Sequence, residues 1–414
     1  MKLQVKNVGK VSSAEIDVNG ITVVAGLNST GKSTVSRSLF SMFNSFYAIS
    51  KKVNEEKQRS ILKLITENDS FIEDFILSDA VQIQAEELAT MLVNKVDTEK
   101  IIGIFKTCNI SSSFYSNILD EIVKTNGISD DKIIHEIVQD VFRGEFNRFI
   151  TNFVRGGYSR VDLTIKNQKL SVVFDENNEL VSIEGAYSLE HEIVYIDDPF
   201  IIDSYNHTSR SPFWGIPEKS WEVNHRKSII SQYNKNENQT VISRAQLREK
   251  LSLVYKNINE TLGSEINLFN TEPTADAIIV GSKPPLDNLS SGMKTFYLIK
   301  KLIDVGVIAQ NGTLILDEPE VHLHPEWQIK LAEIIVLLQK ELGLHVLINT
   351  HSPYFLRAIE VYTKKYGSST ETKFYLSYNE DSQSKFKDVS EKVSEIYKVL
   401  SNSLQTLENE RYDY

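Results

Sequence analysis

Three short apolar runs stand out along the chain, at residues 21–25, 313–316 and 344–348. Each has the length and composition of a strand that is buried on both faces. An amphipathic stretch with helical periodicity follows each run. Strands that alternate with helices in this way predict a parallel sheet with helices on its faces, so the expected fold class is α/β.

Two other segments, residues 3–18 and 161–174, alternate apolar and polar positions. This period of two predicts half-buried strands, which we expect to form an antiparallel β subdomain and to make the sheet mixed. Asn19-Gly20 is a strong hairpin signal and predicts a turn between two paired strands.

Residues 46–158 show long amphipathic helical patterns with few Pro or Gly residues and no chemical motif. They predict an α-helical insertion. The chain is therefore expected to have one principal domain in two parts, 1–45 and 159–414, on either side of this insertion.

Four arginines near the end of the insertion have two interpretations. One is a basic face that binds nucleic acid or a partner. The other is a solvated face with internal ion pairs, which is the commoner arrangement. The four are Arg143, Arg148, Arg155 and Arg160.

The composition narrows the class of protein. The 414 residues are 41% hydrophobic and 24% charged, which is typical of a globular domain. The net charge of -11 argues against a protein that coats nucleic acid. The single cysteine, Cys108, excludes an internal disulfide and a cysteine-based metal cluster. There is no signal-peptide pattern and no apolar run long enough to span a bilayer, so we expect a cytoplasmic protein without a membrane partner.

The run at 21–25 leads directly into Gly-Leu-Asn-Ser-Thr-Gly-Lys-Ser at 26–33, which fits the phosphate-binding pattern G-x-x-x-x-G-K-[ST]. Gly26 and Gly31 allow the backbone to curl so that its N–H groups face phosphates. We expect Lys32 to reach the β- and γ-phosphates of ATP, and Ser33 to ligate Mg²⁺. The predicted nucleotide-binding residues are Gly26, Asn28, Ser29, Thr30, Gly31, Lys32, Ser33 and Thr34.

The run at 313–316 ends in Asp317-Glu318-Pro319, and the run at 344–348 is followed by Asn-Thr-His351. Because the carboxyl ends of parallel strands meet at one edge of a sheet, these polar groups are expected to lie near the bound phosphates. Asp317 is the candidate magnesium ligand.

Two further features carry candidate chemistry. The apolar run at 193–196 also ends in acids, Asp197-Asp198, and is the second-ranked magnesium site. Leu-Ser290-Ser291-Gly292 opens a helical stretch, for which either serine is a plausible N-cap. A helix N-terminus is a ready anion-binding site.

The order of these motifs resembles that of the ABC-type ATPase heads of the SMC, RecF and OLD-nuclease group, which are P-loop NTPases. A phosphate-binding loop, a long insertion, Leu-Ser-Ser-Gly, Leu-Asp-Glu-Pro and Thr-His-Ser follow one another as in that family. The residues from Glu320 to Pro325 look like those of the OLD-like and RecF-like branch and differ from those of transporter ATPases.

The resemblance implies a role for each motif. Asp317 supports Mg²⁺, Glu318 is the general base that polarises the attacking water, and His351 is the switch histidine that contacts the γ-phosphate. Ser290, Ser291 and Gly292 form the signature motif, which in this family contacts nucleotide bound to another subunit. The implied assembly is a homodimer or higher homo-oligomer with ATP between two heads.

The resemblance also implies a biological setting. The segment after His351 lacks the acid cluster of OLD nucleases, so we expect the ATPase head to stand alone. Stand-alone heads of this type are often encoded beside a separate nuclease or toxin in bacterial anti-phage systems of the Septu and PARIS types. We therefore expect a sensor or regulator of a partner effector. The alternatives are a RecF-like DNA-binding repair ATPase and a chain that is itself a nuclease.

Overall fold

The computed structural model of the protein describes residues 1–67, 79–108, 110, 112–152, 154–185, 188–207, 224–235, 240–262 and 289–411. The described strands form one 11-stranded mixed sheet, in the order β6-β5-β4-β1-β2-β11-β10-β3-β9-β8-β7. The strands are β1 (Lys2–Val8), β2 (Val11–Asp17), β3 (Ile21–Gly26), β4 (Ser159–Ile165), β5 (Gln168–Phe174), β6 (Leu180–Glu184), β7 (Ile193–Ile196), β8 (Thr313–Asp317), β9 (His345–Thr350), β10 (Thr372–Glu380) and β11 (Gln383–Asp388).

The three apolar runs become neighbouring parallel strands. β3 pairs with β9, β9 with β8, and β8 with β7, all in parallel. Their carboxyl ends therefore meet at one edge of the sheet, as the sequence predicts.

The alternating segments form the other half of the same sheet. β1, β2, β4, β5 and β6 are joined by antiparallel pairings. They do not make a separate layer, because β11 pairs in parallel with β2 and antiparallel with β10. The expected antiparallel subdomain is thus continuous with the parallel strands through β11, a strand that the sequence analysis did not predict.

The prediction of a hairpin turn at Asn19-Gly20 is wrong. β2 and β3, which flank it, do not pair, because β10 and β11 lie between them in the sheet. A hairpin lies earlier in the chain and joins β1 to β2, where Val8 pairs with Val11 around Gly9 and Lys10. Gly20 has a φ of +57°, so the dipeptide does turn the chain, but it starts a crossover.

Helices cover both faces of the sheet and fill the predicted insertion. They are α1 (Lys32–Phe46), α2 (Ile49–Thr66), α3 (Asp79–Leu92), α4 (Thr98–Thr107), α5 (Ser112–Gly127), α6 (Asp130–Glu145), α7 (His225–Tyr233), α8 (Val241–Lys250), α9 (Ser252–Leu262), α10 (Ser291–Asp304), α11 (Pro325–Leu342), α12 (Pro353–Tyr366) and α13 (Ser394–Arg411), with 3₁₀ segments at Pro199–His207 and Ser369–Glu371. The boundaries of the insertion, at 45 and 158, stay a prediction. In the described ranges, no helix has the length and apolarity needed to cross a membrane.

Each face of the sheet has its own apolar core. Successive strand residues alternate between them, so that Leu314 packs with α9 to α12 while Ile315 packs with α1 and α6. A third core joins α2 to α5. The parallel strands are therefore buried on both faces, and the polar groups at their ends are held on a rigid support.

Candidate active site

The predicted phosphate-binding loop, residues 26–33, lies between a strand and a helix, β3 and α1. Gly31 has a φ of +83°, which favours glycine, and a Cβ there would lie 2.9 Å from side-chain atoms of Val11 and Ser384. Asn28 and Ser29 are exposed, whereas Thr30 is buried and its hydroxyl lies 2.7 Å from Ser377 Oγ. Thr30 thus ties the loop to β10, while Asn28 and Ser29 remain accessible to solvent.

Lys32 lies at the start of α1 with its ammonium inside the loop. It donates hydrogen bonds to the carbonyl oxygens of Gly26 and Leu27, at 3.1 and 3.0 Å. It also lies 3.6 Å from Glu318 Oε1. Ser33 and Thr34 follow in the first turn of α1 and are half-buried. The loop thus directs a buried cation towards the ends of β8 and β9.

Asp317 is the last residue of β8, and its carboxylate is buried. Both of its oxygens accept hydrogen bonds, Oδ2 from the Tyr195 hydroxyl at 2.7 Å and Oδ1 from Asn349 Nδ2 at 2.8 Å. Asn349 Nδ2 also lies 2.8 Å from Ser36 Oγ on α1. Neighbouring strands therefore fix the orientation of this acid.

Glu318 has a left-handed backbone with a φ of +52°, which is uncommon for a residue with a side chain. Its Oε1 lies 3.4 Å from His351 Nδ1 as well as beside Lys32. The hydrogen-bonding contact with His351 lowers the pKa of Glu318, and the same contact raises the pKa of His351. A carboxylate, an imidazole and an ammonium thus converge at the edge of the sheet.

Glu320 is buried in the loop after β8 and joins it to the loop after β9. Its Oε1 accepts hydrogen bonds from Thr350 Oγ1 at 2.5 Å and from the backbone N–H groups of His351 and Ser352 at 3.0 and 3.2 Å. Burial raises the pKa of this carboxyl group. Glu320 therefore positions the backbone of His351.

The predicted signature segment lies at the N-terminus of α10. Ser290 is its N-cap, and the serine hydroxyl accepts a hydrogen bond from Met293 N at 3.4 Å. Gly292 is packed so closely that a Cβ there would lie 2.6 Å from the Trp327 ring. Among the described residues, no hydrogen bond or ion pair joins Ser290, Ser291 or Gly292 to the phosphate-binding loop.

The chemistry of these groups fits ATP and Mg²⁺. Mg²⁺ prefers oxygen ligands and is usually bound through one or two carboxylates together with substrate phosphates. Asp317 and Ser33 are oxygen donors of this kind. Within the part of the chain that the structure describes, no group of three or more His, Cys, Asp or Glu side chains is arranged to hold a metal by itself.

Residues 218–357 match a family model described as "AAA domain, putative AbiEii toxin, Type IV TA system". This range contains the predicted signature segment, Asp317, Glu318 and His351, and within it Glu318 lies close to both His351 and Lys32. This part of the chain is thus similar to an AAA domain. The predicted phosphate-binding loop, at residues 26–33, lies outside the matched range, between β3 and α1.

A curated relative matches part of the chain. It is the Septu protein PtuA of Bacillus thuringiensis, with 34% identity over 103 residues. The alignment covers 21% of this chain and 25% of PtuA, so the match spans about a quarter of that protein's length.

Solved structures of SMC heads align over nearly the whole chain but with low TM-scores. The SMC head bound to the C-terminal winged-helix domain of ScpA covers 95% of this chain and 98% of its own, at 11% identity and a TM-score of 0.41. The SMC head domain from Thermotoga maritima covers 94% and 98%, at 11% identity and a TM-score of 0.34. Similarities this weak carry no further structural inference.

The second-ranked acids after β7, Asp197 and Asp198, both line a cavity of about 230 Å³ that also borders Asp317 and Glu318. Asp197 Oδ2 lies 3.0 Å from His225 Nε2 and accepts hydrogen bonds from Arg226, at 2.8 and 2.9 Å. Because Asp197 is occupied by two cationic groups, it is a poorer magnesium ligand than Asp317.

Two of the four arginines are ion-paired. Arg143 lies 2.5 Å from Glu179, and Arg160 lies 2.8 Å from Asp162 and 2.9 Å from Glu184. At these two positions the structure favours the interpretation of a solvated face with internal ion pairs.

Sequence reasoning missed Tyr195, Asn349 and Glu320. Tyr195 and Asn349 are polar residues inside otherwise apolar strands, and each precedes a polar strand end by at most two residues. That placement was a usable signal, because a buried polar group needs a hydrogen-bond partner. Nothing in the sequence shows that Glu320 turns inward.

We predict that Glu320→Ala destabilises the protein by about 2 kcal/mol, because the Thr350 hydroxyl and the backbone N–H of His351 lose their acceptor and the backbone N–H of Ser352 keeps only Thr350 Oγ1. Chemical denaturation measures the change. Glu326→Ala, at an exposed position in the first turn of α11, is the matched control and should change stability little. Equal stabilities for the two variants would contradict the role of Glu320.

We also predict that His225 makes stability depend on pH. Burial by itself lowers the pKa of His225, but Asp197 and Glu145 outweigh it and raise the pKa from 6.5 to about 9. The stabilisation is therefore complete below pH 6.5 and is lost as the pH rises through 9. It amounts to about 3 kcal/mol.

Thermal unfolding of the wild-type ATPase and of His225→Gln between pH 6 and 9 should show the difference in their stabilities shrinking as the pH rises. Comparing two proteins cancels other groups, such as Lys52, whose pKa burial lowers to about 8. A difference that stays constant across this range would contradict the charged state of His225.

Proposed function

We propose that this ATPase binds ATP·Mg²⁺ between two copies of the chain, hydrolyses it, and uses the change of state to regulate a separate effector. The observation that carries the proposal is the convergence of Lys32, Glu318 and His351. Lys32 Nζ lies 3.6 Å and His351 Nδ1 lies 3.4 Å from the same carboxylate oxygen, beside the phosphate-binding loop.

Each group has a distinct role in the proposed reaction. Lys32 and the N-terminus of α1 bind the phosphates, and Lys32 is freed from Glu318 when the γ-phosphate takes its place. Glu318, held ionised by its neighbours, accepts a proton from the attacking water. His351, whose pKa is raised, donates a hydrogen bond to the γ-phosphate. Mg²⁺, held by Ser33 and Asp317, would neutralise charge on the β- and γ-phosphates.

The dimer follows from the position of the signature segment. The N-terminus of α10 is an anion site, and Ser290 is exposed there. No described bond connects it to the phosphate-binding loop of the same chain. In a two-fold dimer each α10 can face the nucleotide of the other copy, so that ATP holds the copies together and hydrolysis releases them.

The role in a defence system rests on the partial similarity to Septu protein PtuA and on the resemblance to stand-alone heads of that type. We propose that the effector is a nuclease or toxin encoded separately, and that the ATP-bound dimer and the released monomer differ in their contact with it. Co-purification with the product of the neighbouring gene, with and without ATP, tests this part of the proposal.

We predict that Glu318→Gln binds ATP but does not turn it over, and that it accumulates as an ATP-bound dimer, because only the base is lost. Size-exclusion chromatography with light scattering, together with phosphate release, measures both properties. Lys32→Ala is the control, since it removes the buried ammonium and should abolish ATP binding and the dimer.

Hydrolysis by Glu318→Gln at the wild-type rate would contradict the assignment of the base. ATP binding by Lys32→Ala with wild-type affinity would contradict the assignment of the phosphate-binding loop.

A further inference from the structure

Tyr195 is a buried tyrosine in β7, and its side chain is 2% exposed. Its hydroxyl donates to Asp317 Oδ2 at 2.7 Å across two neighbouring parallel strands. A phenol carries its proton at neutral pH and the acceptor is a carboxylate, so the hydroxyl is the donor. Asn349 Nδ2 donates to the other oxygen, and thus two neutral donors aim the carboxylate that is the candidate metal ligand.

The Tyr195 ring is held from both sides. It stacks on the His225 imidazole, with ring centroids 4.2 Å apart and an interplanar angle of 22°. Phe40 of α1 meets it edge-on at 6.0 Å. The ring therefore has little freedom to rotate, and its hydroxyl depends on where His225 stands.

Buried ion pairs, in turn, hold His225 in place. Nδ1 lies 2.7 Å from Glu145 Oε1, and Nε2 lies 3.0 Å from Asp197 Oδ2. The backbone N–H of His225, at the start of α7, donates to Glu145 Oε2 at 2.9 Å. Both ring nitrogens face carboxylates, which favours the doubly protonated imidazolium.

Two arginines complete the charges around this ring. Arg37 Nε of α1 lies 3.6 Å from Glu145 Oε1, and Arg226 binds Asp197. Glu145 has a side-chain exposure of 0%, so its charge requires these partners. It is also the last residue of α6, in the predicted insertion.

We propose that Tyr195 is a positioning residue that aims Asp317 at the nucleotide-bound metal, and that the ion-paired group of Glu145, His225 and Asp197 positions Tyr195. The consequence is a continuous set of contacts from the end of α6 to the metal ligand. We therefore expect that a displacement of α6 changes how much Mg²⁺ tightens the binding of ATP. The inference rests on the proposed function, because it requires that Asp317 support Mg²⁺.

The test measures how much Mg²⁺ tightens the binding of a non-hydrolysable ATP analogue, and we call this ratio of affinities the Mg²⁺ factor. The affinity is measured by calorimetry once in excess EDTA and once in saturating Mg²⁺. Tyr195→Phe keeps the ring and its stacking but removes the hydroxyl. We expect its affinity in EDTA to equal that of the wild type and its Mg²⁺ factor to fall about tenfold or more.

Tyr375→Phe is the matched control. Tyr375 is also buried in the sheet, but its hydroxyl accepts a hydrogen bond from the backbone N–H of Asp17. Its strand, β10, is separated from the strand of Asp317, β8, by β3 and β9. Its Mg²⁺ factor should equal that of the wild type. If Tyr195→Phe retains the wild-type factor, Tyr195 does not position the metal ligand.

Glu145→Gln tests the second step, since it keeps the shape of the side chain and removes the charge. We expect a fall in the Mg²⁺ factor of the same direction, with an unchanged affinity in EDTA. Glu179→Gln is the control. Glu179 pairs with Arg143, which lies on α6 like Glu145, but no described contact joins Glu179 to His225, so the Mg²⁺ factor should not change. A wild-type factor in Glu145→Gln would overturn the link to α6.

The outcomes separate this inference from the proposed function. A wild-type protein that binds no analogue contradicts the proposed function. A wild-type protein whose affinity does not respond to Mg²⁺ contradicts the role of Asp317. A wild-type response that both variants retain overturns the positioning role alone.

Discussion

The buried carboxylate of Asp317 is the constraint on which the rest of the site depends. A charge in the interior is tolerated only when its oxygens accept good hydrogen bonds. Tyr195 on β7 and Asn349 on β9 supply them, and Asn349 also reaches α1. Satisfying this one group therefore fixes β7, β8, β9 and the helix after the phosphate-binding loop relative to one another.

Other charged groups near Asp317 form ion pairs, and within each pair one group affects the protonation of the other. Glu318 and His351 shift each other's pKa in opposite directions, which favours a carboxylate beside an imidazolium. His225 is charged for the same reason between Glu145 and Asp197. Hydrogen bonds to Glu320 hold the loop after β9 in place. These contacts hold the charged groups of the sheet edge in fixed positions.

Much of this arrangement could be predicted from the sequence, because it follows from local rules. Buried strands that end in a glycine loop, in Asp317 and near His351 must meet at one edge if they are parallel. Pro325 and Pro353 also start their helices as their fixed φ requires. The strand order could not be predicted. Asn19-Gly20 has hairpin chemistry, yet pairing with β10 and β11 overrides it. The environment of Tyr195 depends on Glu145 and His225, which lie 50 and 30 positions away along the chain in opposite directions, and periodicity does not report contacts at that separation.

The central claim is that one catalytic site takes its parts from two copies of the chain. Ser290→Asp keeps an N-cap of equal quality but places a carboxylate where the other copy's γ-phosphate would bind. Lys32→Ala and Ser290→Asp should each be inactive alone. Mixed in equal amounts, they should regain part of the wild-type ATPase rate, since each mixed dimer contains one intact composite site. A mixture as inactive as its components, or full activity of Ser290→Asp alone, would contradict the claim.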